Sequence, residues 1–219
     1  MITYSGVHIQ KVGQVEGTPT AIDIAVHAGR MGRFGGAVWE PNLTHFVFVG
    51  IMAFRRSGKA VNLIAGFVHD AHECVTGEVP RPFKCECMRR EQKALDARIY
   101  PRFIPHGLDK VDHDLIKKCD DDACDIEAAV LGLPNYAAIE IEYTEDYRGR
   151  KEIHNGDGDK YLFEQLLRGP FYISTVHGEQ SFGVRLFAQA LIFAEKGDYE
   201  NLLEYVGCWG FGALLEGTK

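Results

Sequence analysis

Residues 59–75 read KAVNLIAGFVHDAHECV. Val61, Leu63, Ile64, Phe67, Val68 and Val75 fall on most faces of a helix, so the spacing predicts a central helix with little surface of its own. Such a helix needs covering from several sides. On its N-terminal side lies EPNLTHFVFVGIMAFRR, residues 40–56, with Asn42 placed to cap a helix whose apolar run reaches Phe54. A shorter helix is expected around 21–31, and Gly35-Gly36 interrupts the chain after it. On the C-terminal side, Pro80 and Pro82 stop regular structure, and residues 89–100 form an amphipathic helix. Residues 101–112, PRFIPHGLDKVD, read as loop. Residues 114–131 form a further helix, closed by Gly132-Leu133-Pro134.

Beyond residue 134 the pattern weakens. AAIEIEYTEDY (137–147) fits a strand or a continued helix, NGDGD (155–159) reads as a turn cluster, and helices are expected at 181–195 and 198–206. The expected class is all-α: a core over 1–134, with a mainly helical extension over 135–219 packed on it.

The chain has 219 residues, 46% of them hydrophobic, enough for a sizeable core. Its net charge of −7 gives no general attraction to DNA or RNA, so a nucleic-acid polymer is not an expected partner. A small phosphate ester is still admissible, since a few local cations suffice for it. MITYSGVHIQKVGQVEG lacks a basic start followed by an apolar run, and no apolar stretch is long enough to span a bilayer. No membrane partner is expected, and the expected location is cytoplasmic, or host-cytoplasmic if the gene is a phage's. The six cysteines show no C-x-x-C spacing, and Cys85 and Cys87 suit neither a zinc knuckle nor a redox pair, so reduced thiols are expected.

FRRSGK fails the phosphate-loop pattern, because Ala53 stands where a glycine is needed and Ala60 follows Lys59. NGDGD fails the calcium-loop pattern, because the twelfth position from Asp157 is Arg168. Of nine histidines, His8, His27, His106, His113, His154 and His177 have no partner at ligand spacing and are read as surface or structural. His45 lies early in the apolar helix containing LTHFVFVG, where an imidazole without a partner costs roughly 1–3 kcal/mol. His69 and Asp70 follow the buried-looking LIAGFV, and Asp120 lies on a helix with apolar flanks. Taken singly, each histidine is more simply read as a core residue with a hydrogen-bond partner. Taken together, His45, His69, Asp70 and Asp120 make an N/O ligand set that suits one divalent ion, Mn²⁺, Co²⁺, Zn²⁺ or Fe²⁺. Glu73 stands four residues after His69, one helical turn on, where it could orient or deprotonate an attacking water.

The order His45 … His69-Asp70 … Asp120 resembles the H…HD…D signature of the HD-domain metal-dependent phosphohydrolases. HDAHECVTGEVPRPFK (69–84) is similar to a run found in bacterial 5′-deoxynucleotidases and in phage enzymes that hydrolyse deoxynucleotides, the dATP triphosphohydrolases among them. RMGRFGG (30–36) resembles their Arg-plus-aromatic element. KKCDDDACDIEAA (117–129) resembles their K-x-x-D-x-x-[AC]-x-x-x-E helix, and TYSG (3–6) recurs in phage-type members. The resemblance spans roughly residues 1–130.

This resemblance implies an HD-domain helical bundle and a metal held by His45, His69, Asp70 and Asp120. It implies that Glu73 assists the attacking water or protonates the departing sugar oxygen. Arg33, Lys84 and Lys117 would contact phosphate. Phe34 replaces an aromatic, tryptophan in some members, that packs on the sugar, and Glu78 replaces an acid near the 3′-hydroxyl. His72 departs from the family text and is expected as an extra polar group at the pocket, not as a ligand. The implied activity is hydrolysis of the 5′ phosphoester of deoxynucleotides, with a dNTP of the dATP type as first expectation and dNMPs as the rival. A non-catalytic nucleotide-binding protein is the alternative from another class. The expected partner is thus a small deoxynucleotide, with a homo-oligomer left open.

Overall fold

A computed structural model describes residues 4–5, 17–38, 40–79, 83–133, 156–169, 171 and 182–211. The protein is all-α, and no β-strand occurs among the described residues. The segment AAIEIEYTEDY lies outside them, as do His8, His154, His177, Pro80 and Pro82.

Helix α1 (Ala21–Arg30) starts at a reciprocal cap. Thr20 Oγ1 accepts from the Asp23 backbone, and the Asp23 carboxylate accepts from the Thr20 backbone at 2.9 Å. A short turn, α2 (Arg33–Gly36), leads into α3 (Asn42–Ser57), which is buried continuously from Asn42 to Ala53. Pro41, not Asn42, occupies the cap of α3. The Asn42 amide instead donates to Glu73 Oε2 at 3.3 Å, so a side chain expected to cap a helix reaches across to another segment.

The segment that reads as one helix over 59–75 is broken. Helix α4 (Ala60–Val68) ends at its last valine, and α5 (Glu73–Thr76) follows after a tight turn. Across the break the backbone bonds span three residues: Ala71 N to Val68 O at 3.1 Å, Glu73 N to Asp70 O at 2.9 Å, Cys74 N to Ala71 O at 3.2 Å. This tighter winding brings residues i and i+3 into line. Glu73 is therefore set beside Asp70 and is not one α-helical turn beyond His69. Hydrophobic periodicity is blind to this change, because the apolar residues Ala71, Cys74 and Val75 stay buried through it.

Helix α6 (Glu86–Phe103) runs three residues beyond its expected end, with Pro101 inside its last turn. A single 3₁₀ turn, Leu108–Lys110, precedes α7 (His113–Val130), whose first turn is capped by Asp112 accepting from Leu115 N at 2.9 Å. Helix α8 (Gly156–Leu167) begins within NGDGD, where the sequence reading places a turn. The reason lies in tertiary contacts: buried Asp159 binds Arg55 at 3.1 Å and Arg56 at 2.8 Å at the end of α3. Helices α9 (Phe182–Glu195) and α10 (Tyr199–Val206) follow, and α10 runs on into a wider π turn at Gly207–Phe211.

Phe163 on α8 and Phe187 on α9 belong to the same apolar core as Phe46, Phe48 and Phe67. At its centre α3 and α4 touch through glycines. A Cβ on Gly66 would lie 2.5 Å from Gly50 Cα and 2.7 Å from Gly50 N. No helix of the described residues is long and apolar enough to cross a membrane. The expectation of reduced thiols fails at one place: Cys85 and Cys87, with Cα atoms 5.4 Å apart, are joined in a disulfide at the start of α6.

His27 on α1 gives the fold a pH dependence. Its Nε2 is enclosed without a hydrogen-bond partner, and burial pushes the ring down from its ordinary 6.5 to about 4. Between those values the unfolded chain binds a proton that the folded chain excludes. The stability held by the neutral ring is thus complete above the ordinary value and falls as pH drops through that window. Urea denaturation at pH 7 and pH 5 should show a loss about 2 kcal/mol smaller in His27→Leu than in the wild type. Equal losses in the two proteins would assign the acid sensitivity to other groups.

Candidate metal centre

Three segments converge at one end of the α3–α4 pair. Helix α3 contributes His45, the turn after α4 contributes His69 and Asp70, and α7 contributes Asp120. One ligand atom from each lies within 4.8 Å of the others. His45 Nε2 stands 3.3 Å from His69 Nε2 and 3.3 Å from Asp120 Oδ1. His69 Nε2 stands 3.6 Å from Asp120 Oδ1 and 3.4 Å from Asp70 Oδ2. Four ligands around an ion at bond lengths of about 2.0–2.1 Å have edges of roughly 3.3–3.4 Å in a tetrahedron. The separations of 3.3–3.6 Å are close to those edges, and all four ligand atoms fall within 4.8 Å of one another.

The orientation of the imidazoles agrees. His69 Nδ1 donates to the Gly66 carbonyl at 2.8 Å, and His45 Nδ1 donates to Glu127 Oε1 at 2.7 Å. Neither acceptor can donate in return, so each neutral ring turns an Nε2 lone pair towards the other. Two such lone pairs at 3.3 Å repel unless a proton or a metal ion lies between them. Burial by itself would lower His69, yet Asp70 and Asp120 hold it well above its ordinary value, so the pocket retains a proton at this spot. Burial likewise opposes the charges on Asp70 and Asp120, and contact with the two histidines keeps both acids below the ordinary range. The donor set, its charge and its spacing all fit a divalent ion.

Behind His45 lies a buried relay. Arg33 gives Glu127 Oε2 two hydrogen bonds, from Nε at 3.1 Å and Nη2 at 2.9 Å, and Glu127 passes its other oxygen to His45. Burial would raise Glu127, but Arg33 and His45 keep it ionised below its usual range. Such carboxylate–histidine pairs fix the ring and its tautomer in metal sites. Glu127 is the final letter of the helix motif quoted above, two turns from Asp120, and its role was not assigned from sequence. The periodicity of α7 was the available signal.

Arg33 is thus corrected. Expected at phosphate, it is buried, with its guanidinium committed to Glu127 and to Cys124 Sγ at 3.1 Å. Phe34, with φ at 54°, stands in the left-handed region and lies beneath that guanidinium, 5.1 Å from Arg33 Cζ to the ring centre. Phe34 does not line the cleft described next. Glu78 does not line it either, but its charge acts on Glu73.

The site opens into a cleft of about 260 Å³ lined in part by His69, Asp70 and Asp120. Lys84 and Lys117 line it, and so do Tyr100 and His113, the latter read from sequence as surface or structural. Lys117 Nζ contacts Asp120 Oδ2 at 3.1 Å and also Asp121. Lys84 Nζ lies 3.9 Å from Glu73 Oε1. Glu73 is buried, and burial together with the charges of Asp70 and Glu78 pushes it up to about 8 against the pull of Lys84 and Arg33. A carboxyl in that state carries a proton at neutral pH, beside a lysine at the edge of a cleft.

No family model, no curated protein and no solved structure matches this chain.

Proposed function

We propose that this chain is a metal-dependent phosphohydrolase of the HD-domain type, cleaving the 5′ phosphoester of deoxynucleotides. The observation that carries this reading is the convergence of His45, His69, Asp70 and Asp120 on one point, three of them lining a cleft that Lys84 and Lys117 also line. An ion held by those four residues would polarise a phosphoryl oxygen and make water acidic enough to attack. The chain's own groups supply the rest. Lys84 neutralises charge on the phosphoryl oxygens. Glu73 gives its proton to the 5′ oxygen as the P–O5′ bond breaks, while water adds to phosphorus as hydroxide; one water proton stays on the released phosphate and the other passes to solvent, from which Glu73 is reprotonated. Glu127 and Arg33 keep His45 turned towards the ion.

The commitment of Arg33 to Glu127 bears on the substrate. It removes one of three cations expected at phosphate and leaves Lys84 and Lys117 among the described residues. A triphosphate would demand more positive charge than a monophosphate, so this arrangement favours dNMPs over the dNTP expectation.

Chelator-treated protein reloaded with Mn²⁺, Co²⁺, Zn²⁺ or Mg²⁺ should be offered dNMPs, dNDPs, dNTPs and NMPs, with release of phosphate or triphosphate measured. Turnover of a deoxynucleotide supports the reading, and the released species names the substrate. Metal-loaded protein that turns over none of them would leave a nucleotide-binding module. With a substrate in hand, Glu73→Gln keeps the size of the side chain and removes its acidity. It should lower kcat about a hundredfold or more, with KM little changed. A variant that keeps full kcat would take Glu73 out of proton transfer.

A further inference from the structure

The proposed centre has a neighbour. One ligand atom from each of Asp70, His72 and Glu73 lies within 4.8 Å of the others. Asp70 faces both ways: Oδ2 is 3.4 Å from His69 Nε2, and Oδ1 is 3.9 Å from His72 Nε2. His72 is built like a ligand. Its side chain is 7% exposed, and its Nδ1 donates to Asp96 Oδ1 at 2.8 Å. A carboxylate can only accept, so the neutral ring keeps its lone pair on Nε2. That Nε2 is buried, turned towards the acids, and has no hydrogen-bond partner. Leaving a buried polar atom unpaired costs roughly 1–3 kcal/mol, which a cation at this place would recover.

His45, His69 and His72 are thus prepared alike. Each anchors Nδ1 on an acceptor, Glu127, Gly66 O or Asp96, and each directs Nε2 at carboxylates. The tight turn after α4 makes this arrangement, since it aligns Asp70 with Glu73 and brings His72 into the same cluster.

We propose that Asp70, His72 and Glu73 form a second divalent-cation site, joined to the first through the two oxygens of Asp70. The proposal rests on the metal-centre reading above, because the sites share Asp70. It adds a consequence. Glu73 cannot bind an ion and carry the proton for the leaving oxygen at once, so filling the second site opposes catalysis. Metal dependence then has two phases, activation by the first ion and inhibition by the second.

Equilibrium dialysis of the chelator-treated full chain against a Mn²⁺ series, with elemental analysis and electron paramagnetic resonance, tests it. Wild-type protein should reach two Mn²⁺ per chain with a spin-coupled signal. His72→Phe should stop at one, with an uncoupled signal. His72→Gln, which retains a donor for Asp96, should also stop at one and stands in if the phenylalanine variant does not fold. One ion in the wild type, or two in both His72 variants, overturns the second site and leaves the first intact. No ion in any of the proteins overturns both.

Discussion

Asp120→Ala is expected to lose the bound ion and, with it, about a thousandfold or more of turnover, since polarising a phosphoryl oxygen is worth several kcal/mol at the barrier. The geometry gives the reason. Asp120 Oδ1 is the one atom within 3.6 Å of both His45 Nε2 and His69 Nε2 among the distances that define the site. Without it, two neutral imidazoles and Asp70 remain, with one negative charge in place of two facing the ion. The helix itself has little reason to suffer. Alanine favours helix, and Lys117 keeps Asp121 as a partner. Metal content after dialysis and the rise in Tm on adding Mn²⁺ give readouts independent of turnover. An ion bound by the native state raises Tm by mass action, so the wild type should show that rise and Asp120→Ala should not. Undiminished turnover in the variant would remove the central claim.

The four candidate ligands were legible in the sequence because each is a polar side chain within an apolar-flanked helix or directly after an apolar run. Such residues need partners, and two helices and the turn after a third can satisfy them together at one point. What the sequence hid was how those partners are shared. Arg33 is a phosphate cation in what the family resemblance implies, yet Glu127 claims it inside the core, and a charge pair formed across 94 residues leaves no local pattern. Glu73 reads as a helical neighbour of His69, but the backbone changes winding at the turn after Val68, where burial alone keeps the apolar pattern intact. The start of α8 was missed for the same kind of reason. NGDGD has every mark of a turn, and only the arginines at the end of α3 make Asp159 part of a helix that docks there. His72 read in the sequence as a polar group at the pocket and not as a ligand, because Asp96, which orients it, lies on a different helix.

Gly66→Ala tests how the fold sets the distances of the site, and it is expected to cost about 3 kcal/mol of stability. Two effects oppose each other. In an isolated helix, alanine is favoured over glycine by about 1 kcal/mol. Here the added methyl would meet Gly50 Cα at 2.5 Å and Gly50 N at 2.7 Å, and backbone atoms cannot rotate aside as a flexible side chain would. The clash therefore wins, and α3 and α4 must separate. His45 hangs from α3 and His69 follows α4, and Gly66 O also holds His69 Nδ1 at 2.8 Å. Separation stretches the 3.3 Å between the two Nε2 atoms, so affinity for Mn²⁺ should fall together with stability. Urea denaturation of metal-free protein measures the first effect, and Mn²⁺ titration under native conditions measures the second. A Gly66→Ala protein as stable as wild type would mean the two helices are not in contact at this glycine pair. A destabilised protein with unaltered Mn²⁺ affinity would mean that the α3–α4 spacing does not set the ligand geometry.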